Sequence, residues 1–252
     1  MPHSILTVIL LSKGLSLSQI LIVQSAYSIA IVLFEFPSGL IADNYSRKNI
    51  YSLSKLFLIV MFLIVLFSNN FYLIFAAWFC YGIASALDSG TLDAYIINQL
   101  KIAHREDDLR KFLALNNRLE IVGLLLGSSL GGVLYLSIGI NIYVLGIAFL
   151  VASTLVTFFF FNENLKTTTL EESHVSVLKQ QITDSFIELR KQPRLGVILI
   201  FDFLTQIFFQ THFQLWQSFF LSKGVDTKYF PAFYIAFQIS LLFFIFYQYG
   251  WD

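Results

Sequence analysis

One charge-free run of the chain reads IVGLLLGSSLGGVLYLSIGINIYVLGIAFLVASTLVTFFFF (residues 121–161). A membrane crossing needs about 20 apolar residues, so this run is long enough for two helices. Serine, glycine and asparagine at residues 137–141 predict a turn between them. Because backbone groups in lipid must form hydrogen bonds within the chain, such a run is typical of membrane-spanning helices.

Four further runs without Asp, Glu, Lys or Arg predict the other spans. They are residues 14–34, 56–87, 203–221 and 229–249, and a turn at residues 68–70 divides the second. With the two helices of the first run, seven full spans are predicted. Residues 1–11 are apolar but too short to span, and we interpret them as the last turns of a helix whose beginning is absent.

The composition supports a membrane protein and excludes several other classes. The chain has 252 residues, of which 57% are hydrophobic and 13% charged, whereas soluble domains carry roughly 25% charged residues. A formal net charge of 0 gives no indication of nucleic-acid binding. The single cysteine, Cys80, excludes an internal disulfide and a multi-cysteine metal site. No enzyme motif is present, so we expect neither catalysis nor a cofactor or metal.

The basic residues predict the orientation in the membrane. All but Lys13, Lys223 and Lys228 of the 16 basic residues lie within or next to residues 43–55, 101–118 and 162–193. These three segments are predicted as cytoplasmic loops by the positive-inside rule. The expected location is the bacterial plasma membrane, which the chain crosses many times.

A short repeat predicts how the chain is organised. The sequence LSKGL (residues 11–15) recurs as LSKGV (residues 221–225), although a chance match is an alternative. Residues 162–193 carry apolar side chains at helical spacing and predict an amphipathic linker helix. We therefore expect an all-α fold with a first bundle (1–161), a cytoplasmic linker (162–193) and the start of a second bundle (194–252). Two halves with this offset of 210 residues would make a complete protein of roughly 420 residues, and we expect this chain to be a truncated part of it.

The sequence GLIADNYSRK (residues 39–48) resembles the loop motif of the major facilitator superfamily. That motif has a glycine, then Ala-Asp, then a Gly-Arg-Lys cluster, which Gly39, Asp43, Arg47 and Lys48 match. Asn44 and Ser46 depart from the usual basic residue and glycine. The resemblance implies a gating loop at the cytoplasmic side, and a generic basic loop is the alternative.

Two further stretches resemble the same superfamily. Gly123, Gly127, Gly131 and Gly132 resemble its antiporter motif, with Ser128 in place of a proline. Ordinary helix packing through small residues is the alternative. The stretch DSGTLDA (residues 88–94) is similar to one in some bacterial drug-efflux-like members, although no arginine lies at residues 71–99.

Ionisable residues inside spans are the candidate functional residues, because charge in lipid is costly unless it faces a cavity or a partner. Acidic candidates are Glu35, Asp88, Asp93, Glu120 and Asp202. Polar stripes follow the fourth helix (Tyr81, Ser85, Asp88, Tyr95, Gln99) and the seventh (Asp202, Gln206, Gln210, Gln214, Gln217). The resemblance implies that these two helices line a central cavity. We select as candidates for the substrate or proton pathway Asp88, Asp93, Gln206, Gln210, Gln214 and His212, and interhelical hydrogen bonding is the alternative role.

The predicted function is secondary active transport, because no ATP-binding motif is present. We expect proton-coupled efflux of small amphipathic compounds by alternating access, with the substrate, a coupling proton and the lipid bilayer as partners. The alternative is a truncated membrane protein that does not transport, either a gene remnant or a fragment that binds a partner.

Overall fold

The computed structural model describes residues 3–44, 46–89, 91–161 and 193–249, and every regular element in these ranges is helical. The α-helices are α1 (Leu6–Ser12), α2 (Leu17–Asn44), α3 (Arg47–Phe67), α4 (Phe71–Ser89), α5 (Leu92–Ile102), α6 (Glu106–Ile138), α7 (Ile142–Phe160), α8 (Pro193–Ser222) and α9 (Phe230–Tyr249). Short 3-10 helices are formed by His3–Ile5, Gly139–Asn141 and Thr227–Tyr229. The predicted all-α fold is confirmed.

The apolar runs of the sequence become the long helices. Four stretches among the described residues are long and apolar enough to cross a membrane, namely Leu17–Glu35, Arg47–Phe67, Phe71–Ile102 and Glu106–Phe160. The last of these contains both α6 and α7, which are separated by the turn predicted at residues 137–141. The turn predicted at residues 68–70 separates α3 from α4, where the Asn70 side chain accepts the backbone N–H of Tyr72 at 2.8 Å.

Two predicted cytoplasmic loops are mostly helical. Residues 43–55 were expected to form a loop, but α2 extends to Asn44 and α3 already begins at Arg47. Of the predicted loop 101–118, residues 106–118 belong to α6. Charged residues in the sequence mark where a helix leaves the lipid, but they do not end the helix. In α6 the acidic side chains of the first turn stabilise the helix start, because they lie at the positive end of the helix dipole. The predicted linker helix at 162–193 lies outside the described residues, except for Pro193 at the start of α8.

The fourth predicted helix, counted with the partial helix at residues 1–11 as the first, is broken. It consists of α4 and α5, and the Thr91 hydroxyl and backbone N–H both donate to the carbonyl oxygen of Asp88, at 2.9 and 3.2 Å. The predicted polar stripe from Tyr81 to Gln99 assumed one continuous helix, so the residues before and after this break do not share one helical face. The break brings Asp88 to the end of one helix and Asp93 to the first turn of the next.

The chain forms two compact units, residues 1–163 with 217–252, and residues 164–216. In the first unit α4 packs between α2 and α3, and α3 also packs against α7. The ring of Phe62 on α3 meets Tyr143 edge-on at a centroid distance of 5.0 Å. α6 contacts the 3-10 helix His3–Ile5 and α9. In the second unit the described residues are those of α8 up to Trp216.

The repeated sequence forms the same turn twice. Gly14 and Gly224 both have a positive φ, 85° and 78°, which glycine adopts without a steric penalty. Each glycine N–H donates three residues back, to Leu11 and Leu221, at 2.9 Å in both cases. The N–H of the next residue donates five residues back, which completes a helix-ending Schellman motif at both places.

Both turns also begin the next helix in the same way. Ser16 and Gln19 exchange side-chain hydrogen bonds with each other's backbone N–H at the start of α2. At the corresponding position the carboxylate of Asp226 accepts the backbone N–H of Lys228 at 3.0 Å. This hydrogen bond holds the pKa of the Asp226 carboxyl below its usual value. The repeat therefore comprises a helix end, a glycine turn and a helix start.

The contact of α4 with α2 depends on Gly82. A Cβ added at this residue would lie 2.5 Å from both the Ala30 Cβ and the Tyr27 carbonyl oxygen. We predict that Gly82→Ala lowers the free energy of unfolding by roughly 1–3 kcal/mol, because the two backbones must separate. Chemical denaturation in detergent micelles measures this. Gly127→Ala is the control, since nothing lies within 4 Å of its added Cβ, and equal losses in the two variants would contradict the prediction.

Candidate functional site

A cavity of about 430 Å³ lies between the end of α4, α5 and α6. Its lining residues are Ser85, Asp88, Ser89, Asp93, Asn116 and Glu120. The two aspartates reach this cavity from α4 and α5, and Asn116 and Glu120 share a face of α6 because they are four residues apart. The cavity is therefore lined by three carboxylates, those of Asp88, Asp93 and Glu120.

Asp88 has a basic partner that its own helix does not contain. The Nζ of Lys55, on α3, lies 2.9 Å from each carboxylate oxygen of Asp88. Ser54 adds a longer hydrogen bond of 3.4 Å to the same carboxylate. The Lys55 ammonium also lies 4.3 Å from the centroid of the Tyr51 ring. Sequence reasoning placed Lys55 in a loop and missed this ion pair, because it joins residues on two different helices.

The other two carboxylates of the cavity have different surroundings. Asp93 accepts a hydrogen bond of 3.0 Å from the side-chain amide of Asn116, a partner that the sequence did not indicate. Glu120 lines the cavity and, among the described residues, forms no ion pair with Arg118. Arg118 is close to Glu120 in the sequence, but residues two apart on a helix point in different directions. No cluster of His, Cys, Asp or Glu in the described part of the chain is suited to bind a metal ion.

The first half of the polar stripe on α4 contacts α2. The Tyr81 ring packs on Tyr27 at a centroid distance of 4.5 Å, and the Tyr27 hydroxyl donates to Ser85 at 3.4 Å. Ser85 also lines the cavity. Tyr81 and Tyr27 thus connect the two helices, and the part of the stripe that reaches the cavity consists of Ser85 and Asp88.

The basic residues of the predicted gating motif contact aromatic rings. Arg47 lies 5.5 Å from the ring centroid of Tyr95 on α5. Lys48 lies 4.3 Å from that of Phe158 on α7. Both residues are at the start of α3, so they connect this helix to α5 and α7. Gly39 and Asp43 belong to α2, and their tertiary contacts lie outside the described structure.

The four glycines of α6 have two kinds of surroundings. Gly132 is in close contact with Ser4 and Pro231, and Gly131 is also buried. Next to them the Ser4 hydroxyl donates to the carbonyl oxygen of Ser128 at 2.7 Å. Gly127 and Gly123, about one and two turns before Gly131, have open space where a Cβ would be. In the described structure, close helix packing is therefore confined to the end of the series near α9.

The polar stripe of the seventh predicted helix lies on α8. The side chains of Asp202, Gln206, Gln210, His212 and Gln214 are outside the described structure. Gln217 is buried, and its side-chain oxygen accepts the backbone N–H groups of Thr7 at 3.0 Å and Val8 at 3.3 Å. This member of the stripe thus forms interhelical hydrogen bonds, which was the alternative role considered from the sequence.

Long apolar helices and charges grouped at one end of the spans define a multi-pass helical membrane protein. Residues 3–251 match the sequence model of the Major Facilitator Superfamily, so the chain belongs to that family. The resemblance found in the sequence is confirmed at this level.

A related protein is the uncharacterized MFS-type transporter YxaM of Bacillus subtilis (strain 168). It is 26% identical over 224 residues, which cover 87% of this chain and 54% of the relative. The chain thus spans about half the length of that protein. No solved structure matches the chain. Family membership assigns the chain to a class of membrane transporters.

We predict that Gln217→Leu destabilises the contact of α8 with α1. Two N–H groups lose a buried acceptor, which lowers the free energy of unfolding by roughly 1–3 kcal/mol. Denaturation in detergent measures the change, with Gln99→Leu as the control because Gln99 is exposed on α5. A Gln217 variant as stable as this control would show that the hydrogen bonds contribute nothing to stability.

Proposed function

We propose that this chain acts in secondary active transport, namely the proton-coupled export of small amphipathic compounds across the bacterial plasma membrane. The observation that carries the proposal is the cavity of α4, α5 and α6, which is lined by the three carboxylates of Asp88, Asp93 and Glu120. Carboxylates within spans are costly and generally serve a pathway for ions, protons or substrate.

A proton gradient is the proposed energy source. The sequence contains no ATP-binding motif, and carboxylates can bind and release protons as their surroundings alternate between the two sides. Asp88 is half-exposed to the cavity, with 43% of its side chain accessible, so water can reach it. We propose Asp88 and Asp93 as the proton-carrying pair, with Glu120 as a further acceptor in the same cavity.

Alternating access requires that two bundles rock around the substrate site. We propose that Gly39, Asp43, Arg47 and Lys48 form a gate at the cytoplasmic side, where Arg47 and Lys48 contact rings on α5 and α7. We propose Gln206, Gln210, Gln214 and His212 of α8 as further candidates for the substrate or proton pathway. The glycine series of α6 supports the exchange of substrate for protons, because it resembles the antiporter motif of the family.

The expected substrates are amphipathic for a physical reason. The cavity lining is polar, whereas long stretches of the same chain are apolar enough to cross a membrane. A compound that partitions into the bilayer and carries a polar or charged group can make contacts with both surfaces. We propose small organic compounds of this kind as substrates, with the cytoplasmic side as their origin.

Reconstitution of the purified chain into liposomes tests the proposal. An imposed pH gradient is expected to drive uptake of a fluorescent amphipathic dye, with opposite proton flux reported by a trapped pH indicator. If the chain moves neither dye nor protons, the proposal fails for this chain, and a membrane protein that binds a partner without transporting takes its place.

We predict that Asp88→Asn, Asp93→Asn and Glu120→Gln each reduce gradient-driven transport, and that Asp88→Asn reduces it to the level of empty liposomes. The amide keeps the shape of the carboxylate and cannot exchange a proton. Asp107→Asn is the control, because Asp107 lies at the surface with 81% of its side chain exposed. Proton-dependent export that persists in Asp88→Asn would remove Asp88 from the mechanism.

A further inference from the structure

A second cavity, of about 320 Å³, lies where α5 ends and α6 begins. Its lining residues are Leu100, Lys101, His104, Glu106, Leu109 and Arg110. Neither the proposed transport pathway nor the gating motif includes any of them. The volume falls within the range of about 300–1,000 Å³ that is typical of sites for small ligands. The cavity can therefore be considered as a binding site in its own right.

This cavity lies at the level of the membrane surface. The stretches that are long and apolar enough to cross a membrane end at Ile102 before the turn and begin again at Glu106 after it. The turn belongs to the segment 101–118, which the basic residues predict to be cytoplasmic. Two lining residues, Leu100 and Leu109, are apolar. A ligand at this level meets both apolar and charged side chains, as the headgroup region of a phospholipid does in the bilayer.

His104 occupies a position in the turn that favours glycine. Its φ is 54°, and it is the one residue other than glycine with a positive φ in the part of the chain that the structure describes. The N–H groups of His104 and Arg105 donate three and five residues back, both at 3.0 Å, which is the pattern formed at Gly14 and Gly224. A side chain at this position is sterically disfavoured relative to glycine. The choice of histidine thus favours a role for the ring that lines the cavity.

Two of the donor side chains in this cavity have no partner. Within the described ranges, Lys101 and His104 form neither an ion pair nor a side-chain hydrogen bond. Arg110 forms an ion pair with Asp107, but a guanidinium has five N–H donors, so others remain for a ligand. Glu106 is the one carboxylate among the lining residues. Lys101 and Arg110 therefore bring two permanent positive charges, and His104 a ring N–H, to a cavity with one carboxylate.

These side chains, and not the start of α6, provide the attraction for an anion. The first turn of α6 carries acidic residues at 106–108, which already lie at the positive end of the helix dipole. Lys101 comes from the last turn of α5, and His104 from the turn that follows it. An anion in the cavity is thus held by donors that α5, the turn and Arg110 of α6 contribute together.

We propose that this cavity binds the phosphate group of an anionic phospholipid from the cytoplasmic leaflet. Lys101, His104 and Arg110 donate N–H groups to the phosphate oxygens, and the two leucines contact the glycerol and the first acyl carbons. Basic pockets beside membrane helices on the cytoplasmic side are typical sites for such headgroups. A lipid bound there connects the end of α5 to the start of α6, and its binding does not depend on whether the chain transports.

Native mass spectrometry of the full chain in detergent measures lipid binding directly. Phosphatidylglycerol is added in increasing amounts, and the fraction of protein with one bound lipid gives the dissociation constant. We expect Lys101→Gln to raise this constant about fivefold, which corresponds to about 1 kcal/mol for one lysine near an anionic lipid. Lys111→Gln is the matched control, because 80% of its side chain is exposed and it does not line the cavity. It should bind the lipid as the wild type does.

Two further variants test the sign of the charge and the role of the ring. Glu106→Gln should lower the dissociation constant, because the repulsion between its carboxylate and the phosphate is removed. His104→Gly should raise it while the turn is kept, since Gly14 and Gly224 form the same turn. Denaturation in detergent should show that His104→Gly is at least as stable as the wild type, so weaker binding by this variant cannot result from misfolding.

The outcomes separate an anionic lipid from other ligands. Phosphatidylethanolamine with the same acyl chains should bind more weakly than phosphatidylglycerol. Lys101→Gln that binds as well as Lys111→Gln overturns the inference, and so does His104→Gly with wild-type affinity. Weaker binding by Glu106→Gln would show that the carboxylate contacts a headgroup amine, which overturns the assignment to an anionic lipid. Displacement of the lipid by inorganic phosphate would identify free phosphate as the ligand and likewise overturn it.

Discussion

The fold depends on the requirement that every backbone N–H and C=O group in lipid finds a partner within the protein. Long helices meet this requirement along their length, so the difficulty is confined to their ends. The chain ends and restarts helices at places where partners are built in: glycine turns at Gly14 and Gly224, and the side chains of Ser16 and Asp226 at the following starts. At α1 the acceptor comes from Gln217 on another helix, so the helix end itself joins two parts of the structure.

The same low dielectric governs the charges. An acidic residue in a span needs a counter-charge, a hydrogen-bond donor or water, and the cavity of α4, α5 and α6 provides one of each kind. Asp88 has the ammonium of Lys55, Asp93 has the amide of Asn116, and Glu120 is exposed at the cavity. Three chemically similar carboxylates are therefore placed in three different environments.

The sequence was sufficient for the helices and insufficient for the contacts between them. Residues 56–87 and 121–161 predicted pairs of helices and their turns, since length and the absence of charge are properties of the chain itself. The prediction of loops at residues 43–55 and 106–118 was wrong, since most of these residues are helical. Charged residues indicate where the chain leaves the lipid, but they do not determine whether the backbone there is helix or loop. The ion pair of Lys55 and the hydrogen bond of Asn116 could not be predicted, since each joins residues more than 20 positions apart on separate helices.

The repeat has a geometric consequence for the first and seventh predicted helices. Gly14 and Gly224 are 210 residues apart, and Thr7 and Gln217, which are joined by a hydrogen bond, are separated by the same 210 residues. The contact therefore links equivalent positions of the two repeats. The sequence repeat is thus accompanied by a direct hydrogen bond between residues at the same spacing, on α1 and at the end of α8.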